Sequence, residues 1–210
     1  MRRLAILACS LLFASATEAG ERSKAFTLAL PGEGITEVVI EAAVATIDVT
    51  GADVTEISGD VELTLDRDEW SSRRAEKLLA EATLEKDVRS GALHLRLERP
   101  DNDEQSEEWT LRVPRSMAVT IKSGVGDIRV LDVTGDIEID AGVGDIRIEG
   151  DWAAFGPVGA TCGVGDITLR SPEGRDSGEG FISRRLSVRG PGKATIEVEA
   201  GVGDIEMRLR

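Results

Sequence analysis

Four aspartates in the second half of the chain have a type and spacing that could bind calcium. Each is the fourth residue of a Gly-Val-Gly-Asp-Ile motif; they are Asp127, Asp145, Asp166 and Asp204. If the motifs stack, the carboxylates form an outward column about 5 Å apart, in which a divalent cation would relieve their mutual repulsion. Nine-residue Gly- and Asp-rich repeats bind calcium in β-rolls, and the first two motifs begin 18 residues apart. These aspartates are therefore candidate calcium ligands.

Three features of the sequence favour a structural role for the same aspartates. A nine-residue β-roll needs a second Gly-x-Asp corner in every turn, and the opposite corner reads Leu-Asp-Val-Thr-Gly once and differs elsewhere. A degenerate turn has Arg185 at the aspartate position, and Arg129 and Arg147 are spaced to neutralise neighbouring aspartates. An aspartate at a tight corner can instead accept backbone N–H bonds. We therefore predict no metal and no other cofactor, with calcium as the alternative.

Glycine corners between short strands must position these aspartates. The motif copies begin at Gly124, Gly142, Gly163 and Gly201, so the spacings are 18, 21 and 38 residues, and 38 is twice 19. Alternating apolar and polar residues follow each copy, as in a strand with one buried face. Such a period is typical of stacked β-coils. The predicted structural corner residues are Gly124, Gly126, Gly142, Gly144, Gly163, Gly165, Gly201 and Gly203.

Side-chain parity completes the predicted fold, an all-β parallel β-solenoid (β-helix-like) with turns of 19 residues. Residues 185–190 repeat the pattern of residues 145–150, so a degenerate turn would start at Ile182, midway between two motif copies. Five successive turns would then run from Gly124 to the C-terminus, with residues 171–180 as an outward loop. The predicted inward residues are Val119, Ile121, Ser123, Ile128, Val130, Ile137, Ile139, Ala141, Ile146, Ile148, Ala160, Cys162, Ile167, Leu169, Ile196, Val198, Ala200, Ile205 and Met207.

The N-terminal part is predicted to contain strands and one short helix. Residues 41–51 match residues 140–150 in pattern, with alanines for the glycines and Thr46 for the aspartate, which indicates a degenerate first copy. Good helix formers at 73–80, after a serine cap, predict the helix. The Pro- and acid-rich stretch 99–108 predicts a loop. The chain divides into a signal peptide (1–19), an N-terminal β region (20–115) and the repeat region (116–210).

The first residues have the pattern of a secretory signal peptide. Arg2 and Arg3 precede an apolar run at 4–13, and small residues allow cleavage after Ala16 or Ala19. The run is too short to span a bilayer, and no later stretch approaches the about 20 apolar residues that a span needs. Removing 1–19 takes away two arginines and one glutamate, so the formal net charge goes from −14 to −15. Such a charge disfavours nucleic acid and anionic membranes as partners.

Other reactive residues point away from catalysis. Cys162 is the only cysteine after removal of the signal peptide, so no intramolecular disulfide can form, and its inward position predicts a buried thiol. His94 is the only histidine, and by itself it cannot form a zinc site or a nucleophile triad. A carboxylate glycosidase on a β-helix is kept as an alternative because acidic pairs abound. Sugar-stacking aromatics are few, with three Trp, four Phe and no Tyr.

The motifs taken together resemble the bacterial "putative adhesin" family of β-strand-repeat proteins. The resemblance rests on the four motif copies, the degenerate copy at 41–51, the helix-bearing insertion and the Val113-Pro114 pair that opens the repeat block. It spans residues 26–210. It implies an extracytoplasmic β-helix-like fold and brings no established catalytic residue.

We therefore expect a secreted, non-enzymatic, adhesin-like binding or scaffold module of the bacterial cell envelope, in the periplasm or on the cell surface. Its partner would be an envelope protein or a surface ligand whose identity the sequence does not give. A calcium-dependent adhesion module and a carboxylate glycosidase are the alternatives. One outward face concentrates acidic residues beside Thr120 and Lys122; they are Glu138, Asp140, Glu197 and Glu199.

Overall fold

The computed structural model describes residues 23–65, 72–99, 105–180 and 183–210. The predicted signal peptide and the predicted turn start at Ile182 lie outside these ranges. The strands within them are β1 (Ser23–Pro31), β2 (Glu37–Ala52), β3 (Glu56–Leu65), β4 (Thr83–Arg89), β5 (Ala92–Glu98), β6 (Gln105–Pro114), β7 (Ala118–Val125), β8 (Ile128–Leu131), β9 (Ile137–Val143), β10 (Ile146–Gly150), β11 (Phe155–Val164), β12 (Ile167–Ser171), β13 (Gly174–Ser177), β14 (Arg184–Arg189), β15 (Ala194–Val202) and β16 (Ile205–Leu209). A helix α1 (Ser72–Glu81) and a 3-10 turn (Trp152–Ala154) complete the described elements.

The motif-bearing strands alternate between buried and exposed side chains. Ile139, for example, is 1% exposed, whereas its neighbours Glu138 and Asp140 face solvent. Every residue predicted to point inward is buried, because successive side chains of a strand point to opposite faces of the sheet. The predicted inward faces are therefore confirmed.

Each motif-bearing segment bends at its glycines and contributes one strand to each of two half-sheets. The strand β2 makes the same crossing without glycines, since residues 37–44 pair with β7 and residues 47–50 pair with β8. This register is the one that the predicted degenerate first copy requires. The first half-sheet is ordered β4, β5, β2, β7, β9, β15, β11, β14, and the second is ordered β1, β3, β6, β2, β8, β10, β16, β12, β13.

The predicted parallel β-solenoid of five successive turns is wrong. The last segment in the sequence, β15 and β16, lies between two earlier ones, because β15 pairs with both β9 and β11 and β16 pairs with both β10 and β12. In addition, β14 runs antiparallel to β11, so the segment after residue 182 does not form a further parallel turn. The protein is all-β, with a mixed parallel and antiparallel sheet that folds almost closed, like a barrel, around one core.

If β2 is counted as the first segment, β9 and β10 form the third segment and β11 and β12 the fourth. The physical reason for the observed order lies at the edges of the fourth segment. The residues after β12 turn back as the antiparallel hairpin strand β13, within the stretch predicted as an outward loop. The strand β14 then covers the outer edge of β11. Because both outer edges are occupied, the last segment can pair only on the inner side, between the third and fourth segments. Similar motifs stack equally well in either order, so their spacing does not encode it.

The opposite end of the sheet is closed by the N-terminal strands and the helix. The strands β5 and β6 flank β2, and the antiparallel partners β4 and β3 lie outside them. The predicted short helix is confirmed as α1, whose last carbonyls accept hydrogen bonds from Lys24 Nζ, at 2.7 Å to Leu79 and 2.8 Å to Ala82 just beyond it. The predicted loop at 99–108 is too long, because β6 begins at Gln105. Among the described residues no helix has the length and apolar character of a membrane span.

Candidate binding surface

The motif glycines lie at the bends, where neighbouring segments stack with no room for a side chain. A Cβ on Gly142 would be 2.4 Å from the carbonyl oxygen of Gly124, and a Cβ on Gly144 would be 2.1 Å from that of Gly126. Gly144 also has a φ of +144°, which side chains other than hydrogen rarely allow. The first glycine of each motif thus permits close approach, and the second both close approach and a positive φ. The same geometry recurs at Gly124, Gly126, Gly163, Gly165, Gly201 and Gly203.

The motif aspartates form a ladder that links neighbouring segments. Oδ1 of Asp127 accepts the backbone N–H of Asp145 at 2.9 Å, and Oδ1 of Asp145 accepts that of Asp204 at 2.8 Å. Oδ1 of Asp204 in turn accepts the N–H of Asp166 at 2.8 Å. Each bond therefore satisfies a corner donor of the next segment. We call Asp127, Asp145, Asp204 and Asp166 the aspartate ladder.

The cations around the ladder differ from those expected. Arg184, and not Arg185, forms an ion pair with the last ladder residue, Asp166. Arg147 pairs with Glu206 at 3.1 Å and not with an aspartate. In the part of the chain that the structure describes, no group of three or more His, Cys, Asp or Glu side chains is arranged to hold a metal ion. Three of the four ladder carboxylates thus accept a backbone N–H through one oxygen, and that of Asp166 pairs with Arg184.

On the outer face of the second half-sheet, Glu206 is paired with two arginines. Glu206 lies in register with Arg147 and accepts hydrogen bonds from both Arg147 and Arg208. Arg208 first, and then Arg147, lower the pKa of Glu206 below its ordinary value, although partial burial opposes the shift. The charge of Glu206 is therefore compensated within the protein, whereas Glu62 and Glu108 on the same face lie directly opposite each other.

The outer face of the first half-sheet instead concentrates acidic charge, with one cation, Lys122 on β7, in register beside Asp140. In register, Glu138 on β9 lies beside Glu197 on β15, and Asp140 lies beside Glu199. All four are exposed, and none has a Lys or Arg within ion-pairing distance among the residues described. Like charges on directly neighbouring strand positions repel one another. We call Glu138, Asp140, Glu197 and Glu199 the acidic patch, and its predicted position on one outward face is confirmed.

A groove of about 590 Å³ opens beside the acidic patch, near the bends at Ala43 and Gly124. Asp140, Lys122, Arg99 and Glu107 are among the residues that line it. Glu107 is buried: its Oε2 accepts the indole N–H of Trp109 at 2.7 Å, and its Oε1 lies 3.0 Å from Nη1 of Arg99. Burial raises the pKa of Glu107, against the opposing effects of Trp109 and Arg99. Sequence reasoning missed this network because it lies in the stretch predicted as a loop.

Glu107 is not placed to act as one of the two catalytic carboxyl groups of the glycosidase alternative. A glycosidase needs two carboxyl groups that reach the scissile bond from an open cleft. Both oxygens of Glu107 already contact protein groups, and the side chain is only 2% exposed. The Glu107–Arg99–Trp109 network therefore reads as the closure of the core beside this groove.

Cys162 and His94 lie away from any shared site. Cys162 is a free, buried thiol whose Sγ is 3.1 Å from the carbonyl oxygen of Gly203. Burial raises its pKa, which disfavours the reactive thiolate. His94 is on β5, in register with Val39 of β2 and Asp87 of β4. Neither residue is brought together with a catalytic partner in the described ranges.

Comparison with known proteins gives distant structural similarity only. No family model matches the sequence, and no curated protein matches it. A "putative cell adhesion protein" from Clostridium sporogenes is 15% identical, with a TM-score of 0.47 over 90% of this chain and 100% of that one. A "putative adhesin" from Parabacteroides merdae is 9% identical, with a TM-score of 0.33 over 89% and 81%. Another from Bacteroides fragilis is 12% identical, with a TM-score of 0.27 over 88% and 97%. The chain is thus similar to bacterial proteins of these descriptions, at TM-scores that carry no argument about its function.

Proposed function

We propose that the protein is an extracytoplasmic, non-enzymatic binding module of the bacterial cell envelope, and that it binds through the acidic patch. The proposal rests on two like-charge neighbours in register on adjacent strands: Glu138 lies beside Glu197, and Asp140 lies beside Glu199. Each like-charge pair costs the fold a few tenths of a kcal/mol or more. A basic partner surface would remove that cost on binding.

The setting of the acidic patch supports recognition of a macromolecule. The patch lies on β9 and β15, in the middle of the first half-sheet, where parallel neighbours hold the backbone on both sides. Its flank on β11 is small, with Gly159 and Thr161 in register beside β15, and its flank on β7 carries Thr120 and Lys122. A flat and rigid face of this kind offers access to a large partner and little enclosure for a small molecule. The predicted signal peptide supports an extracytoplasmic location.

The experiment compares two variants of equal net charge. Glu138→Gln/Glu197→Gln/Glu199→Gln neutralises three residues of the acidic patch, whereas Glu33→Gln/Glu56→Gln/Glu76→Gln neutralises three exposed glutamates elsewhere. Binding of labelled protein is measured on an array of envelope and extracellular-matrix proteins that spans acidic to basic isoelectric points. We expect saturable binding to basic members that falls at least tenfold in the patch variant and is retained in the control. Equal loss in both variants, or no loss in the patch variant, would contradict the proposal.

A further inference from the structure

The valine of each Gly-Val-Gly-Asp-Ile motif is exposed, against the general burial of large apolar side chains. Within the described ranges, the exposed large hydrophobic residues are these four and Val88: the exposures are 46% for Val125, 46% for Val143, 62% for Val164 and 45% for Val202. Strand parity would place the motif valine inward, two residues after a small buried residue such as Ala141. The bend at the two glycines turns it outward instead.

The four valines form one continuous line across the strands. Val143 is in register with both Val125 and Val202, and Val202 is also in register with Val164. With strands about 4.8 Å apart, the line is about 14 Å long. A glycine stands on each side of every valine, so no neighbouring side chain covers the line along the strand direction. We call Val125, Val143, Val202 and Val164 the valine ridge.

Carboxylates border the whole of one side of the valine ridge and the middle of the other, where Lys122 precedes Val125 by three residues. The aspartate ladder follows two residues after each valine, for example Asp145 after Val143. On the other side, Asp140 and Glu199 of the acidic patch precede Val143 and Val202 by three residues. At about 3.3 Å per residue these charges lie within roughly 10 Å of the ridge along the strands. Within the described ranges, the ladder residue that is paired with an arginine is Asp166, at the Val164 end.

We infer that the valine ridge docks a basic, amphipathic, extended segment of a partner protein, whose apolar side chains contact the valines and whose Lys or Arg side chains reach the carboxylates on either side. The inference rests on the proposed function, because the acidic patch supplies one of the two charged borders. A ridge of about 14 Å matches an extended segment of about five residues.

The negative charge around the valine ridge favours a basic segment over a second copy of the chain or an anionic membrane surface. A second copy of the chain placed ridge to ridge would bring carboxylate rows against carboxylate rows, which disfavours self-association here. An anionic membrane surface is disfavoured for the same reason. A basic segment instead gains from both the apolar line and the flanking charges.

The test uses two ten-residue peptides of equal charge with the full chain: alternating Lys-Leu and alternating Lys-Ser. Fluorescence anisotropy at physiological salt, at peptide concentrations where each is monomeric, measures both dissociation constants. We expect the Lys-Leu peptide to bind at least tenfold more tightly than the Lys-Ser peptide. In Val143→Ser/Val202→Ser this ratio should fall to about one while Lys-Ser binding stays unchanged. In Val88→Ser, an exposed valine outside the ridge, the ratio should persist.

The valine variant tests the docking role of the ridge, and the acidic-patch variant tests the proposed function on which that role rests. If the ratio survives in Val143→Ser/Val202→Ser, or is absent in the unmodified protein, the ridge is not a docking element and the inference is wrong. If the acidic-patch variant retains full affinity for both peptides, the proposed function is contradicted instead. Circular dichroism and thermal melting confirm that each variant is folded, which is expected because the substituted side chains are exposed.

Discussion

Oδ1 of Asp145 accepts the backbone N–H of Asp204 at 2.8 Å, although 59 residues separate them in the chain. The preceding motif residue, Asp127, makes the same bond to Asp145, and Asp204 makes it to Asp166. The bonds therefore follow the spatial order of the segments. This order differs from the sequence order because Asp204 comes before Asp166. The ladder thus shows directly that the last segment lies between the segments that carry Asp145 and Asp166.

Removal of one ladder acceptor should have a modest and chemically specific effect. Asp145→Ala should lower the free energy of unfolding by about 1 kcal/mol, because the N–H of Asp204 loses its side-chain acceptor. Asp145→Asn should retain most of the stability, since an amide oxygen can accept the same bond. Urea denaturation measures both; an equal loss in the two variants would show that the charge, and not the hydrogen bond, is what matters.

Calcium should not stabilise the protein. A site that binds only the folded state would add about 2.7 kcal/mol at a hundredfold excess of calcium over its Kd. We expect the same melting temperature with millimolar calcium and with chelator, because three ladder carboxylates are engaged with backbone donors and the fourth with Arg184. A rise of several degrees that Asp145→Asn abolishes would restore the calcium-dependent alternative.

Gly144→Ala should destabilise the protein far more than Gly174→Ala. Both glycines have a φ near +145°, but a Cβ at Gly144 would lie 2.1 Å from the Gly126 carbonyl oxygen, whereas nothing lies within 4 Å at Gly174. Gly174→Ala should therefore cost only the backbone strain, about 1 kcal/mol. Gly144→Ala should cost several kcal/mol, as overpacking does. Chemical denaturation of both variants provides the comparison, and similar losses would mean that strain alone explains the glycine.

Ile139→Asp and Glu138→Ala should differ sharply although the residues are adjacent. Ile139 is 1% exposed, so an unpaired carboxylate there should cost several kcal/mol and prevent stable folding. Glu138 faces solvent beside Glu197, so its removal should leave stability unchanged or slightly raised. Thermal melting distinguishes the two, and comparable melting temperatures would refute the assigned strand register.

Glu107→Gln should stabilise the protein at neutral pH. Because burial raises the pKa of Glu107 in the folded state above its ordinary value of about 4.5, the unfolded chain loses this proton first. Stability from this group is therefore highest at low pH and falls as pH rises above about 4.5. The glutamine keeps an acceptor for the Trp109 N–H without the buried charge.

The measurement for Glu107 is the free energy of unfolding between pH 4 and pH 7. The advantage of Glu107→Gln should be present at pH 7 and vanish near pH 4. Glu56→Gln, exposed on the neighbouring strand β3 and opposite Pro31, controls for the loss of a carboxylate and should show no such gain. A loss of several kcal/mol at pH 7 in Glu107→Gln would instead show that the ion pair with buried Arg99 dominates.

The sequence by itself determined the local geometry of this protein. Alternation around Ile139 and Ile146 defined the buried faces, because a strand with one face in the core must repeat every two residues. The paired glycines of each motif marked the bends, and the match of residues 41–51 to the repeat identified β2 as a copy without glycines. The acidic patch also followed from parity, since Glu138 and Glu197 hold the same position in equivalent strands.

Only the tertiary structure decided which segments are neighbours. Nearly identical motifs can pair in more than one order, so nothing in the spacing could place β15 between β9 and β11; the antiparallel strands β13 and β14 decided it by covering the outer edges. The exposure of Val143 likewise depends on the bend, which breaks the strand alternation that would have buried it. Local pattern fixes the direction of a side chain within a strand, whereas the order of strands and the turn at a bend are set by contacts between segments far apart in the chain.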